Sequence, residues 1–483
     1  LDAEIVIVGA GFSGLGMAIA LKRAGLDSFV VLEKGTEIGG TWRDNTYPGC
    51  ACDVPSHLYS YSFYPNPNWS RRYAGHEEIL NYLRATTEHY DIPRHIRFGC
   101  EVTGLRFDSD TASWQIDIEG QGSMRTRYVI LGVGALHRPL IPNIDGLDTF
   151  DGHCFHSANW RHDIDLTGRN VAVIGTGASA IQFVPKLAEQ VGHLYLFQRT
   201  PPWILPKPDG EIRSFERRLY ATIPGLRLLY RTLLYTLHET KGLAFGFNTR
   251  LMKLAELAGR AHIRRTVRDR ELRRKLTPNY TPGCKRVLLS NDYYPSLNRP
   301  NVEVVTTPIE AIGSDHIRLV GGERVHTDAI VLGTGFRVTE PLPRGMVFGS
   351  GGLDLWATWK DGISAYKGTL VSGFPNLFML TGPNTGLGHN SMIVMIEAQI
   401  GFILGVIERA RAKGWSTVDV RAGAQTAYNR ALGPRLEKSV WGSGCNSWYL
   451  DENGSNPTIW PGLASEFWLK MKRFERGAFD VSA

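Results

Sequence analysis

Short apolar runs, glycine-rich turns and helical patterns follow one another in a fixed order along this chain. The apolar run at 5–8 leads into a glycine-rich turn, a helical pattern that ends at Gly25, and a second apolar run at 29–32. The same order returns at 170–200. Strand, tight turn, helix and strand in this order are typical of a parallel sheet with helices on both faces. The pattern therefore predicts an α/β fold with two Rossmann-like dinucleotide-binding domains.

Two later apolar runs indicate how these domains are connected. Residues 328–336 form a buried-strand pattern that ends in three residues, Gly-Thr-Gly, and 375–391 add another strand and a Gly/Asn-rich loop before a long helix. We expect the second domain to be inserted into the first. The predicted boundaries are 1–140 and 339–483 for the first domain, and 141–208 and 284–338 for the second.

Residues 209–283 carry a different pattern, with leucines and a tyrosine at helical spacing. The repeating positions are Leu226, Leu229, Tyr230, Leu233 and Leu237, followed by Leu251, Leu254 and Leu257. We expect a helical subdomain packed over the cofactors. The alternative is an interfacial membrane anchor, against which Pro224 and several arginines count.

Composition narrows the class of protein. The chain has 483 residues, a net charge of +7 and no uninterrupted apolar run of 18 residues, which argues against a membrane span. The first motif begins almost at once, so we expect no signal peptide and a cytoplasmic location. Six cysteines in so long a chain are expected to be reduced thiols. The basic residues near 260–286 lack an aromatic platform, so no nucleic-acid partner is expected, and no metal site is predicted.

The first glycine-rich turn predicts a binding site for FAD. Such glycines let the backbone approach a pyrophosphate at a helix N-terminus, and an acid at the tip of the next strand accepts from a ribose hydroxyl. The residues concerned are Gly9, Gly11, Ser13, Gly14 and Glu33.

The second turn has a cationic strand tip where the first has Glu33, and a cation suits a 2′-phosphate. This site is therefore predicted to hold NADPH. Its residues are Gly175, Thr176, Gly177, Ala178, Ser179, Gln182, Arg199 and Thr200.

Two further stretches resemble the fingerprints of one enzyme family. FDGHCFHSANWR at 150–161 matches FxGxxxHxxxW, and GGTWRDNTYPGCACD at 39–53 matches [AG]GxWxxxx[FY]P[GM]xxxD. Together they make the chain similar to the Baeyer–Villiger monooxygenases. One departure is Arg161, which stands where that family has Pro or Asp.

The resemblance implies a reaction in which a C4a-peroxyflavin attacks a ketone and an ester or lactone results. It assigns Arg286 as the cation that stabilises the peroxide and Lys285 as a partner of the NADPH phosphate. Asp53 would accept from Arg286 and hold it in place. Arginine suits this role because it does not lose its proton.

The resemblance also assigns several supporting residues. His156 and Trp160 would couple the two domains in a hinge, as opposed to transferring a proton, and Trp448 would lie on a mobile loop over the nicotinamide, with plain core packing as its alternative. Gly40, Thr41, Trp42, Tyr59, Val102 and Met392 would contact FAD.

Three other functions are weighed against this one. A flavin-containing monooxygenase would oxygenate nitrogen or sulfur, so the substrate besides O2 is expected to be a ketone or a sulfide. A disulfide reductase would need two redox cysteines beside the flavin, and Cys50-x-Cys52 is too tight for a comfortable bridge. A non-catalytic nucleotide sensor would bind FAD without consuming NADPH. The sequence does not indicate the oligomeric state.

Overall fold

Two parallel five-stranded sheets form the centre of the molecule, whose computed structural model describes residues 1–445 and 447–483. In the first sheet, four of the five strands are fully buried and apolar, as expected for a sheet covered by helices, and the edge strand Ile96–Arg97 is partly exposed. Its strands, in spatial order, are Leu377–Met379, Tyr128–Leu131, Ile5–Val8, Phe29–Leu32 and Ile96–Arg97.

The second sheet is also parallel throughout. Its strands, in spatial order, are Val302–Val305, His193–Phe197, Asn170–Ile174, Ala329–Leu332 and His153–His156. All of them lie in sequence between two neighbouring strands of the first sheet, Tyr128–Leu131 and Leu377–Met379. The predicted fold class, with one nucleotide-binding unit inserted into the other, is therefore confirmed.

Smaller sheets surround these two. One contains Val347–Phe348, Val102–Asp108, Ser113–Ile118 and Gly122–Thr126, and another contains Ile309–Ile312, His316–Leu319 and Arg324–His326. Two-stranded pairs are formed by Ile204–Leu205 with Leu288–Leu289, and by Thr417–Val420 with Phe479–Ser482.

Helices cover both central sheets. Phe12–Arg23 follows the first glycine-rich turn and packs against Met392–Lys413, which begins where the Ser391 hydroxyl accepts from the backbone N–H of Ile393. The remaining helices outside the helical subdomain are Thr41–Asp44, His76–His89, Ala180–Leu187, Tyr293–Ser296, Leu355–Thr358, Ala422–Lys438 and Ala464–Met471. Within the described residues, no helix has the length and hydropathy needed to cross a membrane.

The helical subdomain consists of Ser214–Thr222, Pro224–Gly246, Met252–Thr266 and Arg270–Leu276. Most of the leucines at helical spacing are exposed, whereas Leu226 and Tyr230 are partly buried. The inward face of Pro224–Gly246, called here the long helix, packs Leu234, Tyr235 and Phe245 against the core and also makes polar contacts. Arg231 donates to the carbonyl oxygen of His57 and to the Ser60 hydroxyl, and Glu239 accepts from the backbone N–H and hydroxyl of Ser465.

The periodic leucines therefore lie mainly on the outer sides of these helices. The periodicity identified the helices correctly. The hydrogen bonds of Arg231 and Glu239 help to determine which side of the long helix is buried. The leucines that point to solvent are Leu229, Leu233, Leu237, Leu251, Leu254 and Leu257.

The stretch at 150–161, which carries the predicted hinge residues, contains regular secondary structure. His153–His156 is an edge strand of the second sheet, paired with Ala329–Leu332. A short 3-10 turn, Ser157–Asn159, follows. Gly152 packs so tightly that an added Cβ would lie 2.5 Å from the carbonyl oxygen of Asp328.

Two of the six cysteines are bonded to each other, which corrects the expectation that all are reduced. Cys284 and Cys445 form a disulfide with their Cα atoms 6.2 Å apart, within the range that such bonds span. They are 161 residues apart in sequence, so only the fold brings them together. Cys50, Cys52, Cys100 and Cys154 are free thiols.

Candidate functional site

The backbone of the first glycine-rich turn is packed too closely against its neighbours for side chains. Gly9 has a φ of +101°, and a Cβ there would lie 2.8 Å from the Gly132 carbonyl oxygen. A Cβ on Gly14 would overlap the Gly9 carbonyl oxygen. Gly40 has a φ of +52° and packs against Gly11. A Cβ on Gly40 would lie 3.2 Å from the Cα atom of Gly11. The turn and the first fingerprint thus form one narrow cradle at a helix N-terminus, which suits a pyrophosphate.

Glu33 closes this cradle at the end of its strand. Its buried carboxylate accepts from the backbone N–H groups of Ala10 and Gly35, both at 2.8 Å. Arg43 donates to it at 2.7 Å. Burial of Arg43 disfavours its charge, but hydrogen bonds to Asp44 and Glu33 outweigh burial and raise the pKa of the guanidinium. The carboxylate is therefore fixed where a ribose hydroxyl could donate to it.

The first fingerprint joins the two domains. Within it, the buried Trp42 indole donates to the Tyr59 hydroxyl at 3.2 Å. The Tyr47 hydroxyl donates to Oε1 of Gln182 at 2.9 Å, and Nε2 of Gln182 donates to the carbonyl oxygen of Ala51 at 2.9 Å. Gln182, predicted to contact NADPH, thus has its side-chain amide bonded to the first domain.

The remaining residues predicted to contact FAD lie around this cradle. Ser13 is buried in the first helix, and Thr41 begins the short helix after Gly40. Val102 is buried at the start of its strand, in a core cluster shared with Val8 and Leu32.

The second glycine-rich turn repeats the arrangement in the inserted domain. Gly175 has a φ of +110° and packs against the Gly333 carbonyl oxygen, so a Cβ there would overlap it. The Thr176 hydroxyl donates to the carbonyl oxygen of Thr200 at 3.2 Å. Gly177 and Ala178 are exposed, and Ser179 is partly so, which leaves the helix N-terminus open to a ligand.

Two cations stand beside this turn. Burial lowers the pKa of Lys285, and the positive charge of Arg199 lowers it further. Nζ of Lys285 lies 5.2 Å from the ring centroid of Tyr280. In the part of the chain that the structure describes, neither Lys285 nor Arg199 has a carboxylate within ion-pair distance. The pair is therefore available for an anionic group, as a 2′-phosphate requires.

Arg286 and Asp53 form an ion pair between the two halves of the molecule. The Nε and Nη2 atoms of Arg286 donate to Oδ2 of Asp53 at 2.9 and 2.6 Å. The negative charge of Asp53 raises the pKa of Arg286 despite burial. Burial opposes the charge of Asp53, but Arg286 and Lys207 outweigh it and lower the pKa of the carboxyl. Both groups stay charged across the ordinary pH range.

A cavity of about 190 Å3 opens at the carboxyl ends of the first sheet's strands, next to this ion pair. Among its lining residues in the described chain, Arg286 alone carries a charge. Most of the wall is apolar, and it includes Leu131, Val133, Leu136, Leu342, Met379, Met392, Trp448 and Ile459. Because Met392 and Trp448 are predicted to meet FAD and the nicotinamide, the cavity would bring these groups and a neutral, apolar molecule together beside one fixed cation.

Trp448 and Tyr449 contribute one side of the cavity. The side chain of Trp448 is 44% exposed, and its ring centroid is 4.2 Å from that of Tyr449. Tyr449 is buried beside Arg286, and burial raises the pKa of its phenol to about 12, partly offset by the charge of Arg286. The phenol therefore keeps its proton at neutral pH.

His156 and Trp160 belong to the inserted domain. The His156 ring is buried, its Nδ1 accepts from the Ala158 backbone N–H at 3.1 Å, and burial lowers its pKa. Trp160 packs against Phe155 and Phe183, with ring centroids 5.3 and 5.4 Å apart. A neutral histidine that caps a turn has the geometry of a structural residue.

The two cysteines of the first fingerprint are unsuited to disulfide reduction. Burial raises the pKa of Cys50 to about 12 and also raises that of Cys52 above its usual value. Redox-active cysteines need accessible thiolates. These thiols are buried, so the geometry counts against a disulfide reductase.

Comparison with known proteins agrees with this geometry. Residues 6–214 match the family model described as pyridine nucleotide-disulphide oxidoreductase. A Baeyer-Villiger monooxygenase from Pseudomonas aeruginosa is 46% identical over 482 residues, which cover 99% of this chain and 91% of that protein. The chain belongs to the Baeyer–Villiger monooxygenase family.

Solved structures of similar enzymes extend the likeness over the whole fold. The complex of OTEMO with FAD and NADP has a TM-score of 0.89 and 25% identity, and the match covers 99% of each chain. Cyclohexanone monooxygenase from Rhodococcus sp. Phi1 bound to NADP+ has a TM-score of 0.89 and 26% identity, covering 100% of this chain and 99% of that one.

Arg161, the departure from the Baeyer–Villiger fingerprint, lies outside the site. Its guanidinium is exposed and pairs with Asp163, at 2.8 Å from Nε to Oδ1. Trp160, directly before it, keeps its packing.

Sequence reasoning missed Arg43 and Tyr449. Arg43 follows the fingerprint tryptophan directly, so an arginine one residue beyond Trp42 was a usable signal for a partner of Glu33. Nothing local marks Tyr449, because its proximity to Arg286 depends on the fold of a distant segment.

Proposed function

We propose that this protein inserts one oxygen atom of O2 beside the carbonyl of an apolar ketone and releases an ester or lactone. It is a flavoprotein monooxygenase of the Baeyer–Villiger family and uses FAD and NADPH. One observation supports the choice of substrate: Arg286, held by Asp53, is the one charged residue that lines a mostly apolar cavity in the described chain. A ketone is neutral when it enters and acquires negative charge when its carbonyl is attacked.

The residues fit both cofactors. FAD would lie with its pyrophosphate on Gly9, Gly11 and Gly40 and with its ribose on Glu33. NADPH would place its pyrophosphate at Gly175 and Gly177, and its 2′-phosphate between Arg199 and Lys285. Reduced by NADPH, bound FAD supplies the activated oxygen.

Arg286 stabilises the negative charge that develops on the ketone oxygen during attack. A guanidinium remains protonated, and here Asp53 raises its pKa further. Because its two bonds to Oδ2 fix the side chain, the charge is in place before reaction and little reorganisation is needed. The walls are mostly apolar, and a lower local dielectric strengthens the electrostatic effect.

Several residues would support catalysis by holding the cofactors and the two domains in position. Trp448 would cover the nicotinamide from its partly exposed place on the cavity wall. His156 and Trp160 would couple the inserted domain to the rest of the chain during turnover. Gln182 would link the same two domains through Tyr47 and Ala51. We also propose the domain boundaries expected from the sequence, and a cytoplasmic location.

The test compares two half-reactions in an Arg286→Ala variant. We expect anaerobic reduction by NADPH to survive, while ester formation from a ketone falls on the order of a hundredfold or more, the usual loss for one preorganised electrostatic contact. Oxygen should then return as hydrogen peroxide. Arg161→Ala, an exposed arginine outside the site, is the control. Ester formation near the wild-type rate in Arg286→Ala would refute the assignment.

A sulfide assayed beside the ketone separates the heteroatom alternative. A sulfide attacks the activated oxygen itself and leaves no negative carbonyl oxygen. If the wild-type protein oxygenates sulfides and forms no ester from cyclic, linear or aryl ketones, the ketone assignment is wrong.

A further inference from the structure

Two consecutive helices expose leucines at helical spacing. On the long helix, Leu229, Leu233 and Leu237 lie one turn apart and are 65, 52 and 51% exposed. On Met252–Thr266, Leu254 and Leu257 are 66 and 64% exposed. We call these five residues the leucine face. Single exposed leucines are ordinary, but repeated ones on one side of a helix mark an interaction surface.

The leucine face cannot turn inward, because the opposite side of the long helix is fixed. Arg231 is bonded to the loop at 57–60, and Glu239 is bonded to the start of the helix Ala464–Met471. A Cβ on Gly242 would lie 2.7 Å from Nε2 of His389, so the helix approaches its neighbour closely. Rotation of the long helix about its axis would break these contacts and move Arg231 and Glu239 away from their hydrogen-bond partners.

The same subdomain is strongly basic. Residues 209–283 contain sixteen Lys and Arg and seven Asp and Glu, a net charge of +9, whereas the whole chain carries +7. The rest of the protein therefore has a net charge of −2, and the excess positive charge is confined to this subdomain.

Exposed cations share the helix sides that carry the leucines. Lys241 lies one turn beyond Leu237 on the long helix, and Lys253 lies one turn before Leu257 on the next. Arg264 follows Leu257 by seven residues, on the same side of the helix. Long basic side chains can extend past neighbouring apolar ones to reach an anionic layer.

We propose that the leucine face docks on the surface of a bilayer that contains anionic phospholipids. The leucines enter the boundary between headgroups and acyl chains, and the surrounding lysines and arginines contact the headgroups. Apolar residues on one side of a helix combined with cations are the pattern of interfacial binding. A second copy of this chain is a poorer occupant, since two such faces would bring two charges of +9 together.

Binding of the FAD-loaded protein to vesicles tests the proposal. We expect it to co-sediment with vesicles of phosphatidylcholine and phosphatidylglycerol, and far less with phosphatidylcholine alone. Added salt should weaken the binding, because screening reduces attraction between surface charges. Equal binding to both vesicle types, or binding to neither, would overturn the proposal.

Two variants divide the apolar and electrostatic contributions. In Leu229→Gln/Leu233→Gln/Leu237→Gln, we expect at least roughly tenfold weaker partition into anionic vesicles. The variant Lys253→Glu/Arg264→Glu should bind these vesicles more weakly, and the binding that remains should depend less on salt. The matched control, Val320→Gln/Arg318→Glu, changes an exposed apolar residue and an exposed cation in the three-stranded sheet of the inserted domain. It should bind as wild type.

Flavin absorbance and unfolding temperature report whether each variant is folded. All substitutions lie on exposed positions, so both should stay near wild type. Sedimentation velocity without lipid addresses the competing occupant. A dimer that disappears in the triple glutamine variant would assign the leucine face to a second copy and refute lipid docking. None of these measurements depends on which substrate the enzyme oxidises.

Discussion

Asp53 and Arg286 are 233 residues apart in the chain, yet two guanidinium nitrogens of Arg286 donate to the same carboxylate oxygen of Asp53. Asp53 comes from the first fingerprint, and Arg286 from the segment that follows the helical subdomain. The contact therefore forms only when the separate pieces of the fold have assembled. It also means that each charge depends on the other for its position.

Replacing Asp53 by asparagine should weaken catalysis more than it weakens folding. The amide can still accept one hydrogen bond from Arg286 but no longer supplies a negative charge. We expect ester formation to fall on the order of ten- to a hundredfold, the range seen when a residue that orients a functional side chain is lost. Steady-state product formation beside flavin content measures this, with Asp163→Asn as an exposed control. An unchanged rate would show that Arg286 needs no orienting carboxylate.

The same pair predicts how stability responds to acid. The folded-state pKa of Asp53 is lowered, so its contribution is present above the ordinary carboxyl range and is lost as pH falls through the folded value. On acidification, the unfolding temperature of the wild type should therefore fall further than that of Asp53→Asn. Parallel curves would indicate that the pair adds no pH-dependent stability.

NADPH should be preferred over NADH by at least roughly tenfold, since charge-assisted contacts are worth about 1.5–3 kcal/mol each. Arg199→Ala and Lys285→Ala should each reduce this preference by raising the KM for NADPH while that for NADH changes little. Arg161→Ala again serves as the control. A preference that survives in the double variant would place the 2′-phosphate elsewhere.

His156→Ala should fold, bind FAD and turn over slowly. Burial lowers the pKa of His156, which disfavours the imidazolium form that would donate a proton at pH 7. The loss should therefore appear in kcat without a new pH dependence. A steep pH dependence that arises in the variant, with unchanged reduction kinetics, would favour proton transfer over domain coupling.

Reduction of the Cys284–Cys445 bond should destabilise the protein. The bond closes a loop across 161 residues, for which the chain-entropy treatment gives an upper value of about 5 kcal/mol. We expect Cys445→Ser, or treatment with a dithiol, to lower the unfolding temperature, and Cys154→Ser, which removes an exposed free thiol, to leave it unchanged. If dithiol shifts Cys445→Ser as much as wild type, another cause is responsible.

The sequence predicted those parts of the site that local chain geometry determines. Gly9, Gly14 and Gly175 are recognisable because strand, turn and helix lie within thirty residues of one another. The antiparallel strand Ser113–Ile118 was overlooked, although its alternating burial follows alternating residue types. Its signal was short and lay between stronger motifs.

Other features depend on contacts that no short window contains. Helical periodicity identified the long helix, but Arg231 and Glu239 help to determine which side is buried, through partners far away in sequence. Gln182 follows the second glycine-rich turn, which suggested NADPH, whereas its amide bonds to Tyr47 and Ala51. The pairing of Cys284 with Cys445 has the same origin.

The disulfide has a mechanical consequence for any movement between the domains. Cys284 precedes the pair Lys285 and Arg286, and Cys445 lies three residues before Trp448. The segment that carries the cation and the segment that carries the cavity's tryptophan are thus joined covalently within a few residues of both. If the inserted domain rotates, the disulfide keeps Arg286 close to the start of the Trp448 segment. Residues far from the disulfide can then move over larger distances than these two.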